Sequence, residues 1–236
     1  MKCLLEKIRN IILFLLMVAK ADAQNEALMA MQKIYNAYNS GSTIDFNGTM
    51  IMYAKNNPGK IIEKMESSYT IKAMNFTCHI GPVLMLLNDN YYVSADKTLK
   101  LIVIGHRKDL PGNGGIPVLN IAQFKTWIQD KAIKASVIPQ GNNLFLQLSD
   151  PGGISGYHLC SIVCNAKTGY MKKVLMEMDD YNDIARKTMV LEINYTVPVV
   201  KESSRNEFSE RSFFSFRNNK IRITDNYKGY QVINQL

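Results

Sequence analysis

The sequence has no long hydrophobic run. Its longest apolar stretch, Ile11–Ala19, has nine residues, too few to span a bilayer as a helix. Cysteine is scarce. Cys3, Cys78, Cys160 and Cys164 are the four, too few for a disulfide scaffold in a chain of this size. No arginine stands between Arg9 and Arg107. With lysines scattered and no aromatic–basic motif, nucleic acid is excluded as a partner. Enzyme signatures are also missing. Gly153-Ile154-Ser155-Gly156 lacks the spacing of a nucleophile elbow. Gly112-Asn113-Gly114-Gly115 has no following Lys-Ser/Thr, so it cradles no phosphate. No Asp/Glu pair forms a catalytic dyad. The sequence therefore predicts neither an enzyme nor a cofactor. It shows no internal repeat and no linker that would split it.

What is present begins with a targeting segment. Lys2, Lys7 and Arg9 precede the apolar run, and Ala21-Asp22-Ala23 offers small residues where a signal peptidase reads. Cleavage after Ala23 leaves a mature chain of residues 24–236. No cysteine follows the run, so the signal is not that of a lipoprotein. The expectation is an exported, periplasmic protein. The full chain of 236 residues has a formal charge of +8. Removing residues 1–23 loses four bases and two acids, leaving +6. That charge fits solubility, peripheral contact with an anionic membrane, or an acidic partner.

The centre of the chain is Ile61–Ile104. In Met65–Ala73 odd positions are mostly apolar and even ones polar, the period of a strand with one covered face. Asn88-Asp89-Asn90 and Asp96-Lys97-Thr98 mark turns, and Gly81-Pro82 breaks the run. Before this, Asn25–Ser40 reads as an amphipathic helix with Leu28, Met31, Ile34, Tyr35 and Tyr38 on one stripe. Asn25 is its expected N-cap and Gly41 its stop. Thr43–Ala54 alternates, and Asn56-Asn57-Pro58-Gly59 turns it into a hairpin with the strand from Ile61. Gly105–Val118 reads as a loop. Leu119–Lys131 reads as a second helix, with Ile121, Phe124, Trp127 and Ile128 on one face. Strands then resume, with turns at Asn142-Asn143, Asp150-Pro151-Gly152-Gly153, Asn165–Gly169 and Asp179–Asp183. Lys201–Arg211 is a polar loop, and short strands close the chain at Ile221–Ile223 and Tyr230–Ile233. The prediction is an α+β, mainly β domain: about ten antiparallel strands with two covering helices.

Two pieces carry a resemblance. Met85-Leu86-Leu87-Asn88-Asp89-Asn90-Tyr91-Tyr92-Val93-Ser94-Ala95-Asp96 is similar to the central hairpin of the outer-membrane lipoprotein carrier superfamily, the LolA/LolB-like proteins. Asn165-Ala166-Lys167-Thr168-Gly169-Tyr170 with Lys173-Val174 resembles its later hairpin. The order of elements matches over most of the mature chain. The resemblance implies a curved antiparallel sheet forming an incomplete half-barrel, lidded by helices over an apolar cavity that takes acyl chains. The family also implies an arginine in the early strands that grips and releases cargo. This sequence has none there, so it departs from the family's release mechanism.

The residues themselves point to an apolar wall. Met50, Met52, Met65, Tyr69, Met85, Tyr92, Val174, Met176 and Met189 fall on strands that can share the concave face, and Trp127 faces them from the second helix. Thioethers are flexible and polarisable, so a Met-lined wall adapts to chains of different shape. Tyr35 and Lys72 are the expected polar rim. Ordinary core packing accounts for each residue taken singly. The partners implied are a lipid or an acylated protein. The alternative is a structural subunit of an envelope or secretion assembly that binds a protein partner through its outer surface.

His158, Cys160 and Cys164 share parity on one strand, and Cys78 precedes His79. A straight strand spreads Cys160 and Cys164 about 13 Å apart at roughly 3.3 Å per residue. That is too far for a disulfide, and His158 to Cys164 is too far for one metal. The expectation is therefore no metal, buried thiols and a satisfied histidine. Cys78 remains free to pair with either partner. Asn47-Gly48-Thr49, Asn75-Phe76-Thr77 and Asn194-Tyr195-Thr196 match the glycosylation pattern.

Overall fold

The structure, a computed structural model, describes residues 24–73, 75–109, 126, 133–150, 157–179, 188–202, 207–217 and 220–236. The expected leader and its expected cleavage site, most of the expected second helix and the expected turns after Asp150 and Asp179 lie outside them.

Residues 24–38 form helix α1. Ala27, Ala30, Met31, Ile34 and Tyr38 are its buried positions, a helical spacing that presents one apolar stripe. Leu28 and Tyr35 flank that stripe half-buried. Asn25 is not the cap, because Gln24 is already helical.

Fifteen strands follow among the described residues. They are β1 (Thr43–Ala54), β2 (Ile61–Lys72), β3 (Asn75–Ile80), β4 (Val83–Leu87), β5 (Tyr91–Asp96), β6 (Leu101–His106), β7 (Lys134–Gln140) and β8 (Asn143–Ser149). The rest are β9 (Leu159–Asn165), β10 (Met171–Asp179), β11 (Thr188–Tyr195), β12 (Val199–Lys201), β13 (Phe214–Arg217), β14 (Lys220–Ile223) and β15 (Gln231–Gln235). The main sheet runs β15-β6-β5-β4-β3-β2-β1-β11-β10-β9-β8-β7, with β12 also on β1. It is two meanders, β1–β6 and β7–β11, joined where β1 pairs with β11. The sheet is curved and does not close, so the half-barrel reading holds. One pairing is not antiparallel: β15 runs parallel to β6.

The turns form where the sequence places them. The Asn88 side-chain oxygen accepts from the amides of Asn90 (3.0 Å) and Tyr91 (2.8 Å). That of Asn165 accepts from Lys167 and Thr168, both at 2.9 Å. Each Asn thus supplies the bonds its turn needs.

Directly paired strand residues share a face, so the register divides the sheet into two sides. On one side α1 lies over Ile44, Phe46, Ile71, Leu146, Ile162, Cys164, Met171, Val174 and Ile193. Fully burying each aliphatic side chain there contributes about 1.5–3 kcal/mol. On the opposite side of β4–β6, Leu86, Val93, Ala95, Ile102 and Ile104 are covered by Phe213, Phe214 and Tyr227. That cover is the β13–β14 hairpin and its flanking turns. Asn88 ties it down, its amide donating to the Phe208 carbonyl (3.1 Å) and to Glu210 Oε2 (2.9 Å). Of the short strands expected at the C-terminal end, that at Ile221–Ile223 belongs to this second cover, and that at Tyr230–Ile233 corresponds to β15 of the main sheet.

Candidate apolar binding face

Beneath α1 the centre of the sheet is aromatic. Phe46 stacks on Tyr69 with ring centres 4.9 Å apart, and Tyr38 and Tyr195 meet Phe46 edge-on at 5.5 and 5.6 Å. Edge-to-face and offset contacts of this kind are favourable beyond the area they bury. Burial pushes the Tyr38, Tyr69 and Tyr195 hydroxyls above their usual range, the mark of a dry environment that disfavours charge. The Tyr38 oxygen accepts from the Met171 amide at 3.1 Å, which locks the C-terminal end of α1 to β10.

The register brings the candidate residues to one side. Met176 faces Leu191, Leu191 faces Met52, and Val174 faces Ile193, Met50 and Met65 in succession. Tyr69 faces Cys78, Cys78 faces Met85, and Tyr92 stands one pair along from Met85. Met189 sits opposite Ala54 in the same parity. All nine strand candidates thus share the α1 face.

They are not equivalent on it. Val174 (1% exposed) and Met189 (7%) are closed off. Met50, Tyr69 and Met176 pack half-buried against the α1 cluster. Met52, Met65, Met85 and Tyr92 are also half-buried but belong to neither buried cluster. The register places two charges on this face, Glu63 and Asp96, both toward strand ends. Tyr92 is positioned by its neighbours. Its ring covers Gly105, where an added Cβ would run into the ring, and its hydroxyl donates to Gln235 Oε1.

The rim residues divide. Tyr35 flanks α1, its hydroxyl accepting from Asn39 Nδ2 at 2.9 Å. Lys72 lies on the other side of the sheet, because it follows Ile71 of the α1 face and strand side chains alternate. Trp127 lies outside the described residues; its neighbour Thr126 is helical. Phe46, Ile193, Tyr195 and Val103 join the same face and were missed as candidates. Parity within each strand was their signal, but parity alone does not relate one strand to the next. An open groove of about 490 Å³ lies elsewhere, between the outer side of α1 and the β9–β10 turn, lined by Met29, Gln32, Lys33, Asn36, Ala37, Lys167 and Thr168.

Cys78, Cys160 and Cys164 are all free thiols, so Cys78 pairs with neither of the others. Burial raises all three, Cys78 to about 11 and Cys160 to about 12. His158 Nε2 lies 2.8 Å from Asp179 Oδ1, which satisfies the ring.

An open antiparallel sheet with an N-terminal helix across one face defines the class: a half-barrel. Solved structures to which this chain is similar include one from the superfamily that the sequence resembles. A LolA superfamily protein of Nitrosomonas europaea is 10% identical, over 78% of this chain and 98% of that one, at a TM-score of 0.39. An uncharacterized conserved protein of Thermus thermophilus is 9% identical over 86% and 98%, at 0.45. A chain of the Pseudomonas aeruginosa MucA/MucB complex is 9% identical over 84% and 63%, at 0.40. At these values the likeness assigns this chain no ligand, partner or reaction. No family model matches the chain, and no curated protein matches it.

Proposed function

We propose that the α1 face shelters an acyl chain or similar apolar ligand, and that the protein is an exported periplasmic carrier. One observation carries this reading: Met52, Met65, Met85 and Tyr92 line one face yet stand outside both clusters packed from the described residues. Each buried methylene contributes about 0.8 kcal/mol, so a chain of ordinary length offsets the entropy lost on association. Hydrophobic contact supplies the affinity, and Tyr35 at the edge of α1 supplies orientation. The leader at residues 1–23 accounts for export.

The test is titration with a fluorescent fatty acid beside thermal unfolding. Wild type binds and saturates; Met85→Trp melts at nearly the same temperature and takes up no probe. No binding by wild type, together with severe destabilisation by Met85→Trp, means the face is filled and the reading is wrong. A second reading, a structural subunit that binds protein partners, is favoured by the closed centre at Val174 and Ile193. It predicts no lipid in organic extracts of the purified protein.

A further inference from the structure

The two edges of the main sheet are built differently. The β7 edge carries Lys134 and Pro139, two devices that discourage further strand pairing. The β15 edge carries none. Gln231-Val232-Ile233-Asn234-Gln235-Leu236 contains no charged side chain, proline or glycine, and every one of these residues is exposed. Val232, Ile233 and Leu236 are 40%, 39% and 37% exposed.

The backbone of β15 is half used. Gln231 N–H donates to the Lys100 carbonyl at 2.8 Å. Gln231, Ile233 and Gln235 therefore turn their backbone groups to β6, and Val232 and Asn234 turn theirs outward. The segment is also complementary to itself. Antiparallel pairing about a two-fold axis at Ile233 sets Val232 against Asn234, the two residues with free outward groups. Each such pair exchanges two backbone hydrogen bonds. The same register sets Gln231 against Gln235, Ile233 against Ile233, and Tyr230 against Leu236. The side-chain carbonyl of Gln235 is taken by Tyr92, which leaves its amide to meet the opposing Gln231.

The geometry points to a homodimer formed by antiparallel pairing of β15 with β15 of a second copy. The two copies carry the same net positive charge, and the uncharged side chains of β15 add no like-charge contact to the pairing. A strand of five residues covers only part of the roughly 1,200 Å² that specific interfaces bury, so the association is weak and depends on concentration. With the axis normal to the sheet, the α1 faces of both copies lie on one side. Ile233, on the same face as Val103, continues that apolar surface across the junction.

Sedimentation velocity over a rising concentration series tests this. Wild type moves from the monomer mass to twice that mass. Ile233→Lys sets like charges directly opposite and stays monomeric, as does Ile233→Glu; an equimolar mixture of the two regains the doubled mass. Val232→Pro removes an outward donor and no bond to β6, and is also monomeric. Unchanged melting of each variant confirms that it folds. The proposal is overturned if wild type is monomeric throughout, if Ile233→Lys still dimerises, or if the mixture does not associate. Capture of an unrelated extended peptide on β15 by a monomeric wild type also overturns it.

Discussion

Gly169 closes the β9–β10 turn with φ at +80°, and α1 rests directly on it. A Cβ added there would stand 2.6 Å from the Lys33 carbonyl oxygen and 3.0 Å from its carbonyl carbon. Gly141, in the β7–β8 turn, has φ at +56° and nothing within 4 Å of an added Cβ. The two glycines separate two effects. Alanine at either one forces a left-handed conformation, at about 1–2 kcal/mol. At position 169 it also pushes into helix backbone, and overpacking of that kind costs about 1–3 kcal/mol more. The helix cannot back away freely, because Ile34 and Tyr38 beneath it are 0% and 1% exposed. The expected losses are about 1–2 kcal/mol for Gly141→Ala and roughly 2–5 kcal/mol for Gly169→Ala. Urea unfolding measures both as a shift in midpoint at constant m. Equal losses at the two sites would refute the docking of α1 on this turn.

Three further perturbations follow from the same packing. Ile34→Ala, at 0% exposure under α1, loses about 2–5 kcal/mol, whereas Met52→Ala, outside both clusters, loses about 1 kcal/mol; matching losses in chemical unfolding mean the face at Met52 is closed core. The thiols of Cys78 and Cys160, pushed up to about 11 and about 12 by burial, stay protonated at neutral pH and react slowly with a thiol reagent until the protein is unfolded; rapid native labelling contradicts this. Burial works against the charge of Glu192, but hydrogen bonds from Lys173, Asn194 and Tyr53 outweigh it and hold the carboxyl below its usual range. The resulting stability, up to about 1 kcal/mol, is present above the unfolded carboxyl pKa and lost as pH falls through the folded one. Lys173→Met flattens that acid limb, and an unchanged pH profile shows the cluster contributes nothing.

Helix α1 and the hairpin turns were legible because each depends on local chemistry. The helix needs a 3.6-residue stripe, and the turns need Asn, Asp, Gly or Pro at the right offset. The two-sided use of β4–β6 was not. Val83–Leu87 and Leu101–Ile104 are continuous apolar runs, and such runs state that both faces are covered without stating by what. Their cover on one side comes from residues 207–230, more than a hundred positions away, where Phe213, Phe214 and Tyr227 are spaced too irregularly to announce a layer. The parallel pairing of β15 is also non-local and has no signature in the strand itself. For the candidate face, each strand showed which residues go together, but only the register between strands decided that Met50, Met85 and Met176 share a side. Lys72 shows how fine that decision is: it is one residue from Ile71 and on the opposite face.

The two covers sit on opposite sides and over different strands. The α1 cluster draws on β1, β2 and β8–β11, and the C-terminal cover lies over the other side of β4–β6. The α1 face of these strands carries Val83, Met85, Leu87, Tyr92 and Val103, with Ser94 and Asp96 following along β5. A strand with water on one face carries alternating polar residues; β4, apolar at every position, does not, so its α1 face requires an apolar neighbour. Two neighbours qualify: the helix that the sequence predicts over 119–131, and a bound ligand. Trp127 is the sole tryptophan of the chain and belongs to that predicted helix. If the helix lids the ligand, Trp127 emission changes in step with uptake of a non-fluorescent fatty acid, with the same midpoint that a fluorescent probe gives. Emission that stays constant while the fluorescent probe binds means that the ligand lies away from residues 119–131, and that Trp127 is no part of the wall.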